Sequence, residues 1–144
     1  MTLYLDTSSL VKLYVEETGS DLVSRLAAEA VVVVTSAVAY PESRAAFARL
    51  RREGALSPRA FSTVKRAFDL RWPQYLSLAA TDSLCRSAGE LAETYGLRGF
   101  DSVHLASYAE VVRRAGPGDV AFSSFDERLN QAARKLARRL KRRA

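Results

Sequence analysis

Short apolar runs and longer stretches of helical periodicity alternate along the chain. The apolar runs predict strands at 2–5, 31–35, 74–80 and 119–124, and the other stretches predict helices at 8–15, 20–30, 41–54, 57–72, 81–96, 100–116 and from 125 onward. The β-branched run at 31–35 lacks polar alternation, which is typical of a parallel strand covered on both faces. This order of elements predicts an α/β fold with a short parallel sheet and helices on both faces.

Two local features of the predicted helices have consequences for the fold. Thr7 or Ser8 is predicted to cap the helix at 8–15, because a hydroxyl side chain can accept a hydrogen bond from a free backbone N–H of the first turn. The helices at 41–54 and 57–72 carry Phe47, Phe61 and Phe68, and they form either a projecting arm or part of the ordinary core.

Composition places the chain among globular proteins with one core. It has 144 residues, 48% of them hydrophobic and 26% charged, and no apolar run approaches the length of a membrane span. The first residues are strand-like and include Asp6, so we expect no secretory signal and a cytoplasmic protein without membrane contact. One cysteine and one histidine exclude an internal disulfide and a Cys/His zinc site, so a metal ion would be held mainly by oxygen atoms.

The net charge of +6 comes from the end of the sequence. Residues 134–144 contain 7 basic residues and no acid, whereas the remainder has 15 basic and 16 acidic residues. This segment either follows the phosphates of a nucleic acid or is a solvated terminal helix. A membrane-surface helix is a weaker interpretation, because Leu129, Leu136 and Leu140 form only a thin apolar face without aromatic anchors.

Acidic side chains follow the predicted strands. Asp6 ends the first strand, Glu42 lies in a helix after the second strand, and Asp126 follows the last strand, while Asp101 opens another helix. In an open parallel sheet, ligands bind beyond the carboxyl ends of the strands, so these four carboxylates are predicted to meet at one edge. Carboxylates are preferred ligands of Mg²⁺, which can activate a water molecule for phosphodiester hydrolysis.

Each acid also has a simpler interpretation, because Asp and Glu are favoured at helix starts by capping and by the helix dipole. For any single acid, capping is the stronger explanation. Only the arrangement of all four indicates a metal site.

Four motifs resemble the PIN domain family, and most closely its VapC-type toxins of bacterial and archaeal type II toxin–antitoxin pairs. The motifs are "YLDTSSLVKLY", "PE" at the start of a helix, "RGFDSVHLA" and "FSSFDERL", and they occur in the family's order across residues 2–131. The resemblance implies a PIN-like three-layer fold and a Mg²⁺-dependent endoribonuclease, with Mn²⁺ as a substitute. We expect a nuclease domain at 1–131 and a basic helical extension at 132–144, because relatives commonly end in a short strand instead.

The resemblance also implies roles for particular residues. Asp6, Glu42, Asp101 and Asp126 would be the catalytic and metal-binding acids. Ser8 and Ser124 would support the site with their hydroxyl groups, although Ser124 stands where the family more often has Thr. The expected partners are an RNA substrate, a second copy of the chain in a homodimer, and an antitoxin whose C-terminal segment covers the active site.

Other residues have a functional and a structural interpretation. Arg44 and Arg98 lie near the acids in sequence and are predicted to contact the substrate. His104 is predicted to pack between a helix and the sheet, although it shares a helix face with Asp101 and could approach the metal site. Cys85 is expected to be buried, and Trp72 and Tyr75 are expected to pack at a helix end rather than to stack on RNA bases.

The predicted function is RNA cleavage by the toxin of a toxin–antitoxin pair. One alternative is a PIN-like RNA-processing nuclease without an antitoxin. The other is a non-catalytic nucleic-acid-binding module that uses the basic segment, which would bind RNA without needing metal or acids.

Overall fold

A computed structural model describes residues 1–143 of the chain. The strands are β1 (Thr2–Leu5), β2 (Val32–Ser36), β3 (Leu76–Leu78) and β4 (Val120–Ser123). The helices are α1 (Thr7–Val11), α2 (Ser20–Glu29), α3 (Ala39–Arg52), α4 (Pro58–Arg71), α5 (Asp82–Tyr95), α6 (Gly99–Ala115) and α7 (Glu127–Lys141), with a 3₁₀ turn at Trp72–Gln74.

The strands form one parallel sheet in the order β3-β2-β1-β4. β1 lies in the interior of the sheet, where Leu3 is level with Val33 of β2 and with Ala121 of β4. This topology confirms the predicted α/β fold with a parallel sheet.

Alternate side chains of β1 enter two separate hydrophobic clusters, because successive residues of a strand point to opposite faces. Leu3 and Leu5 pack with apolar residues of α1, α2, α3 and α4, whereas Tyr4 packs with residues of α6 and α7. Helices therefore cover both faces of the sheet, which confirms the predicted three-layer arrangement.

Helix α1 is shorter than the predicted helix at 8–15. Backbone bonds from Lys12 to Ser9 and from Leu13 to Leu10 span only three residues, so the chain tightens into turns after Val11. Leu13, Tyr14 and Val15 still pack against the core, which explains the helical period in this stretch.

Helices α3 and α4 belong to the core rather than to a projecting arm. Phe47 of α3 and Phe68 of α4 are fully buried, and Val64 packs in the same cluster. Trp72 and Tyr75 contact each other edge to face beside Phe68, which confirms that they pack at a helix end.

Two other predictions concern individual segments. Cys85 is exposed, so its predicted burial is wrong; it lies on the outer face of α5, where the neighbouring side chains are also exposed. The predicted boundary between residues 131 and 132 falls inside α7, and Ala132, Ala133 and Leu136 of this helix are buried in the core. Residue 144 lies outside the described residues.

Candidate active site

The strand order explains how distant acids come together. β1 lies between β2 and β4, so the chain segments that leave the three strands at their carboxyl ends are neighbours. These segments carry Asp6, Glu42 and Asp126, and α6, which packs against the sheet, adds Asp101 from its first turn.

Asp6 is held by hydrogen bonds to both carboxylate oxygens and is only 4% exposed. Oδ1 accepts a bond from the backbone N–H of Ser9 at 3.0 Å and from the Ser8 hydroxyl at 2.7 Å. Oδ2 accepts a bond from the Ser124 hydroxyl at 2.6 Å. The burial of a carboxylate is tolerated here because these donors replace water.

Asp6 is therefore the cap of α1, and the prediction that Thr7 or Ser8 provides the cap is wrong. The reason is that Asp6 has extended backbone geometry directly before the helix, which aims its Oδ1 at the first turn. The two hydroxyl groups have other partners: Ser8 donates to Asp6 and Thr7 donates to Glu42.

Ser124 links Asp6 to Asp126. Its hydroxyl donates to Asp6 and accepts a bond from the backbone N–H of Asp126 at 3.0 Å. Ser8 makes a similar link, because its hydroxyl accepts a bond from the N–H of Phe125 at 2.9 Å. The predicted supporting serines thus join the end of β1 to the loop after β4.

Asp126 caps α7 through Oδ1, which accepts a bond from the N–H of Leu129 at 2.8 Å. Glu42 and Asp101 are not caps. α3 and α6 begin after Val38 and Arg98, and neither helix start has a side-chain capping bond. The capping interpretation therefore accounts for two of the four acids, and these two use only part of their carboxylates for it.

Glu42 is oriented by two donors on a single oxygen. Its Oε1 accepts bonds from the Thr7 hydroxyl at 2.6 Å and from His104 Nε2 at 2.8 Å. Burial acts to raise the pKa of Glu42, but the hydrogen bonds from His104 and Thr7 outweigh it and the pKa is lowered. Glu42 is consequently held in its charged form.

His104 is buried and bridges Glu42 to Tyr4. Nδ1 lies 3.0 Å from the Tyr4 hydroxyl, and burial raises the pKa of Tyr4, so this phenol keeps its proton. Nε2 donates the bond to Glu42, since the carboxylate can only accept. The predicted packing of His104 is confirmed, and the histidine also contacts one of the candidate acids.

Asp101 accepts no hydrogen bond from residues 1–143. Burial is the main cause that raises its pKa; the charge of Asp126 raises it further, and His104 acts in the opposite direction. Asp6 and Glu42 add smaller effects that also raise the pKa. This pattern places all four carboxylates within electrostatic reach of one another.

The donor set fits a hard divalent cation. Within the described part of the chain, no three His, Cys, Asp or Glu side chains lie close enough to ligate one ion by themselves. Mg²⁺ is usually bound through one or two carboxylates and keeps several waters, so a looser group of acids is suited to it. Both oxygens of Asp101, Oε2 of Glu42 and Oδ2 of Asp126 accept no bond from residues 1–143.

A cleft of about 610 Å³ adjoins the acids and is lined by Glu42, Arg98, Gly99, Phe100, Asp101 and Val103. Phe100 is 61% exposed. Arg44, the other predicted substrate residue, pairs with Asp69 of α4 at 3.3 Å and donates to the Tyr40 hydroxyl at 2.8 Å.

Sequence reasoning missed Tyr4 and Thr7. A tyrosine within an otherwise aliphatic strand was an available signal, because a buried phenol needs a hydrogen-bond partner. Thr7 directly follows Asp6, but its contact with Glu42 joins positions 35 apart in the chain and has no local signature.

The PIN domain family model matches residues 3–135. The chain therefore belongs to the PIN domain family, as its motifs predicted.

Two relatives come from Mycobacterium tuberculosis. Ribonuclease VapC45 of strain CDC 1551 and ribonuclease VapC49 of strain H37Rv are each 35% identical to this chain over 130 residues, covering 90% of it and 88% of each relative. The crystal structure of VapC20 from the same species, a sarcin–ricin loop cleaving toxin, matches with a TM-score of 0.64 and 21% identity. That match covers 90% of this chain and 94% of VapC20, and it confirms the fold.

Proposed function

We propose that this chain is a metal-dependent endoribonuclease and the toxin of a toxin–antitoxin pair. The observation that carries the proposal is the meeting of Asp6, Glu42, Asp101 and Asp126 beyond the carboxyl ends of the sheet, with the pKa of Asp101 raised by burial and then by its acidic neighbours. The two relatives at 35% identity are both ribonucleases, which supports RNA as the substrate.

The group of four acids would hold Mg²⁺, one or two of them directly and the others through water, and Mn²⁺ can substitute. When bound, such an ion lowers the pKa of a water molecule and stabilises the charge that develops on the phosphodiester. Ser8 and Ser124 keep Asp6 in position through its two oxygens. Thr7 and His104 fix Oε1 of Glu42, which leaves Oε2 free of protein donors within residues 1–143.

Substrate contacts are proposed for the cleft beside Asp101. The exposed guanidinium of Arg98 would bind a phosphate, and the exposed ring of Phe100 would stack on a base, as aromatic side chains do for unpaired nucleotides. A role for Arg44 remains a prediction, and it would require Arg44 to share or leave its ion pair with Asp69.

The partners follow from the same proposal. An antitoxin that covers the cleft would present a cation to the acids, and the protein would act in the cytoplasm as a homodimer. No helix of residues 1–143 is long and apolar enough to cross a membrane. Light scattering of the purified chain, alone and with the candidate antitoxin, measures both assembly states.

The test is cleavage of total cellular RNA by protein purified free of antitoxin. We expect discrete fragments with Mg²⁺ or Mn²⁺, and intact RNA with EDTA or with Asp101→Asn. Asp119→Asn is a matched control, because Asp119 is an exposed acid directly before β4, at the end of the sheet opposite to the four acids.

The outcomes separate the alternatives. Metal-dependent cleavage that is not inhibited by the product of a neighbouring antitoxin gene would indicate an RNA-processing nuclease instead of a toxin. Intact RNA in every reaction, from a folded protein that still binds RNA, would overturn the enzymatic proposal and favour a non-catalytic binding module.

A further inference from the structure

Helix α7 carries a dense positive charge on its exposed side. Residues 128–143 contain eight basic residues and no acid. Within residues 1–143, the structure pairs only Arg134 of these with an acid, Glu127 at 3.0 Å. The remaining cations of α7 are exposed without an acidic partner in the described chain, so a polyanion can reach them.

The position of these cations follows from the packing of the helix. Leu129, Ala132, Ala133 and Leu136 face the core and are buried. The apolar face is therefore occupied by the protein itself, which removes the side that a membrane-surface helix would insert into lipid. Only the charged side of α7 is left for a partner.

The charged side begins at the candidate active site. Asp126 directly precedes α7, and a cavity of about 360 Å³ is lined by Arg98, Asp101, Asp126, Glu127 and Arg128. A second cavity of about 350 Å³ is lined entirely by cations, Lys135, Arg138, Arg139, Arg142 and Arg143.

Arg128, Lys135 and Arg142 are spaced by seven residues, which places them on one side of a helix. At 1.5 Å per residue this row extends for about 21 Å away from the acids. We define Arg128, Lys135, Arg138, Arg139 and Arg142 as the α7 basic row.

We infer that the α7 basic row binds the phosphate backbone of the RNA substrate beyond the cleavage position. This inference rests on the proposed function. RNA is favoured over an acidic protein segment because the row is continuous with the cavity at Asp101 and Asp126, so one strand can occupy both. The acids repel the backbone of an RNA strand, and the row supplies the compensating attraction.

The test compares two variants that lose the same charge. The row variant carries Lys135→Gln, Arg138→Gln, Arg139→Gln and Arg142→Gln. The control variant carries Arg25→Gln, Arg52→Gln, Arg59→Gln and Arg66→Gln, which are exposed cations on α2, α3 and α4. All substituted side chains are exposed and Gln is a good helix former, so circular dichroism should be unchanged in both variants.

Binding of a single-stranded RNA of about 20 nucleotides is measured in EDTA across a salt series, so cleavage does not interfere. We expect the row variant to lower the slope of log Kd against log salt by about 3, since each lost phosphate contact on a single strand contributes about 0.7. At about 0.1 M salt this corresponds to a Kd raised roughly 100-fold or more. The control variant should keep the wild-type slope.

Cleavage provides a second readout. With Mn²⁺, the row variant should raise KM for the long RNA and leave kcat/KM unchanged for a dinucleotide. The single phosphate of a dinucleotide lies at the acids and cannot also reach Lys135, which is about 13.5 Å along the helix from Asp126.

An unchanged slope in the row variant would overturn the inference. The inference is also overturned if the row and control variants lose RNA affinity equally. It is overturned as well if the row variant keeps its RNA affinity and loses only its affinity for poly-glutamate, because the row would then bind an acidic protein. Failure of the proposed function looks different: no RNA is cut by any variant, while the EDTA binding series still reports on the row.

Discussion

His104 donates a hydrogen bond from Nε2 to Oε1 of Glu42 at 2.8 Å, across 62 positions of the sequence. The imidazole is buried and its other nitrogen makes a hydrogen bond with the Tyr4 hydroxyl, so its orientation is fixed from both sides. Through this contact the central strand β1 controls the direction of a carboxylate on α3. Partners of this kind tune the affinity of a metal ligand without touching the ion.

We expect His104→Ala to weaken Mn²⁺ binding by about 10- to 100-fold, because Glu42 loses a donor that holds its Oε1. Isothermal titration calorimetry of the RNA-free protein measures this affinity. His104→Gln is the matched control, since its amide N–H can still donate to Glu42 and should recover part of the affinity. Equal Mn²⁺ affinity in wild type and in folded His104→Ala would contradict the orienting role.

The raised pKa of Asp101 predicts a pH-dependent stability gain on neutralising this residue. The pKa of Asp101 is higher in the folded chain than its ordinary value of 3.8, which it has in the unfolded chain. Ionisation of Asp101 therefore destabilises the fold as the pH rises through the raised pKa. Asp101→Asn should therefore stabilise the metal-free protein at pH 7 by about 0.5–1 kcal/mol, a modest figure because Asp101 is partly exposed to solvent. Well below pH 3.8 the gain should vanish, because Asp101 is then protonated in both the folded and the unfolded state.

Urea unfolding at several pH values measures this difference, and Mn²⁺ should reverse it. A ligand at 100 times its Kd stabilises a protein by about 2.7 kcal/mol, so wild type should gain stability that Asp101→Asn does not. Destabilisation of Asp101→Asn at neutral pH would instead show that Asp101 supports the helix start.

Ser124→Ala should destabilise the chain by about 1–3 kcal/mol, because Oδ2 of the buried Asp6 loses its donor. Ser124→Thr keeps the hydroxyl and should retain near wild-type stability and Mn²⁺ affinity. Denaturant midpoints with unchanged m-values provide the measurement. If the Ala and Thr variants are equally stable, the bond to Asp6 contributes little.

Substitutions of Asp126 can separate its role as the cap of α7 from the role of its negative charge. Asp126→Asn keeps an oxygen that can accept the N–H of Leu129, so stability should change by only a few tenths of a kcal/mol. Asp126→Ala removes the cap and should cost about 1 kcal/mol. Both variants should weaken Mn²⁺ binding. If Asp126 served only as a cap, neither variant would change the affinity for Mn²⁺.

Much of the fold was predictable because it depends on local patterns of apolar and polar residues. The β-branched run at 31–35 and the apolar period of each helix reflect burial on one or both faces, and the structure confirms the parallel sheet with helices on both sides. Element ends were less predictable. α1 stops at Val11 because the chain tightens into turns, while Leu13 and Tyr14 continue the apolar period outside the helix.

The acids of the candidate site were also accessible from sequence, since each one lies at a predicted strand or helix boundary. Which of these acids also cap a helix could not be predicted from the sequence. Asp6 and Asp126 cap helices with one oxygen, whereas Glu42 and Asp101 cap nothing, and this difference depends on backbone geometry at each helix start.

The sequence by itself determined the α/β class and the family, and it supplied the four candidate carboxylates, because periodicity and short motifs are properties of neighbouring residues. Only the tertiary structure decided that Thr7, His104 and Tyr4 converge on Glu42, and that the apolar side of α7 is buried while its basic side starts at Asp126. The contacts among Tyr4, Thr7, His104 and Glu42 join residues 35 to 100 positions apart, so their pairing arises from strand order and packing and cannot be deduced from neighbouring residues.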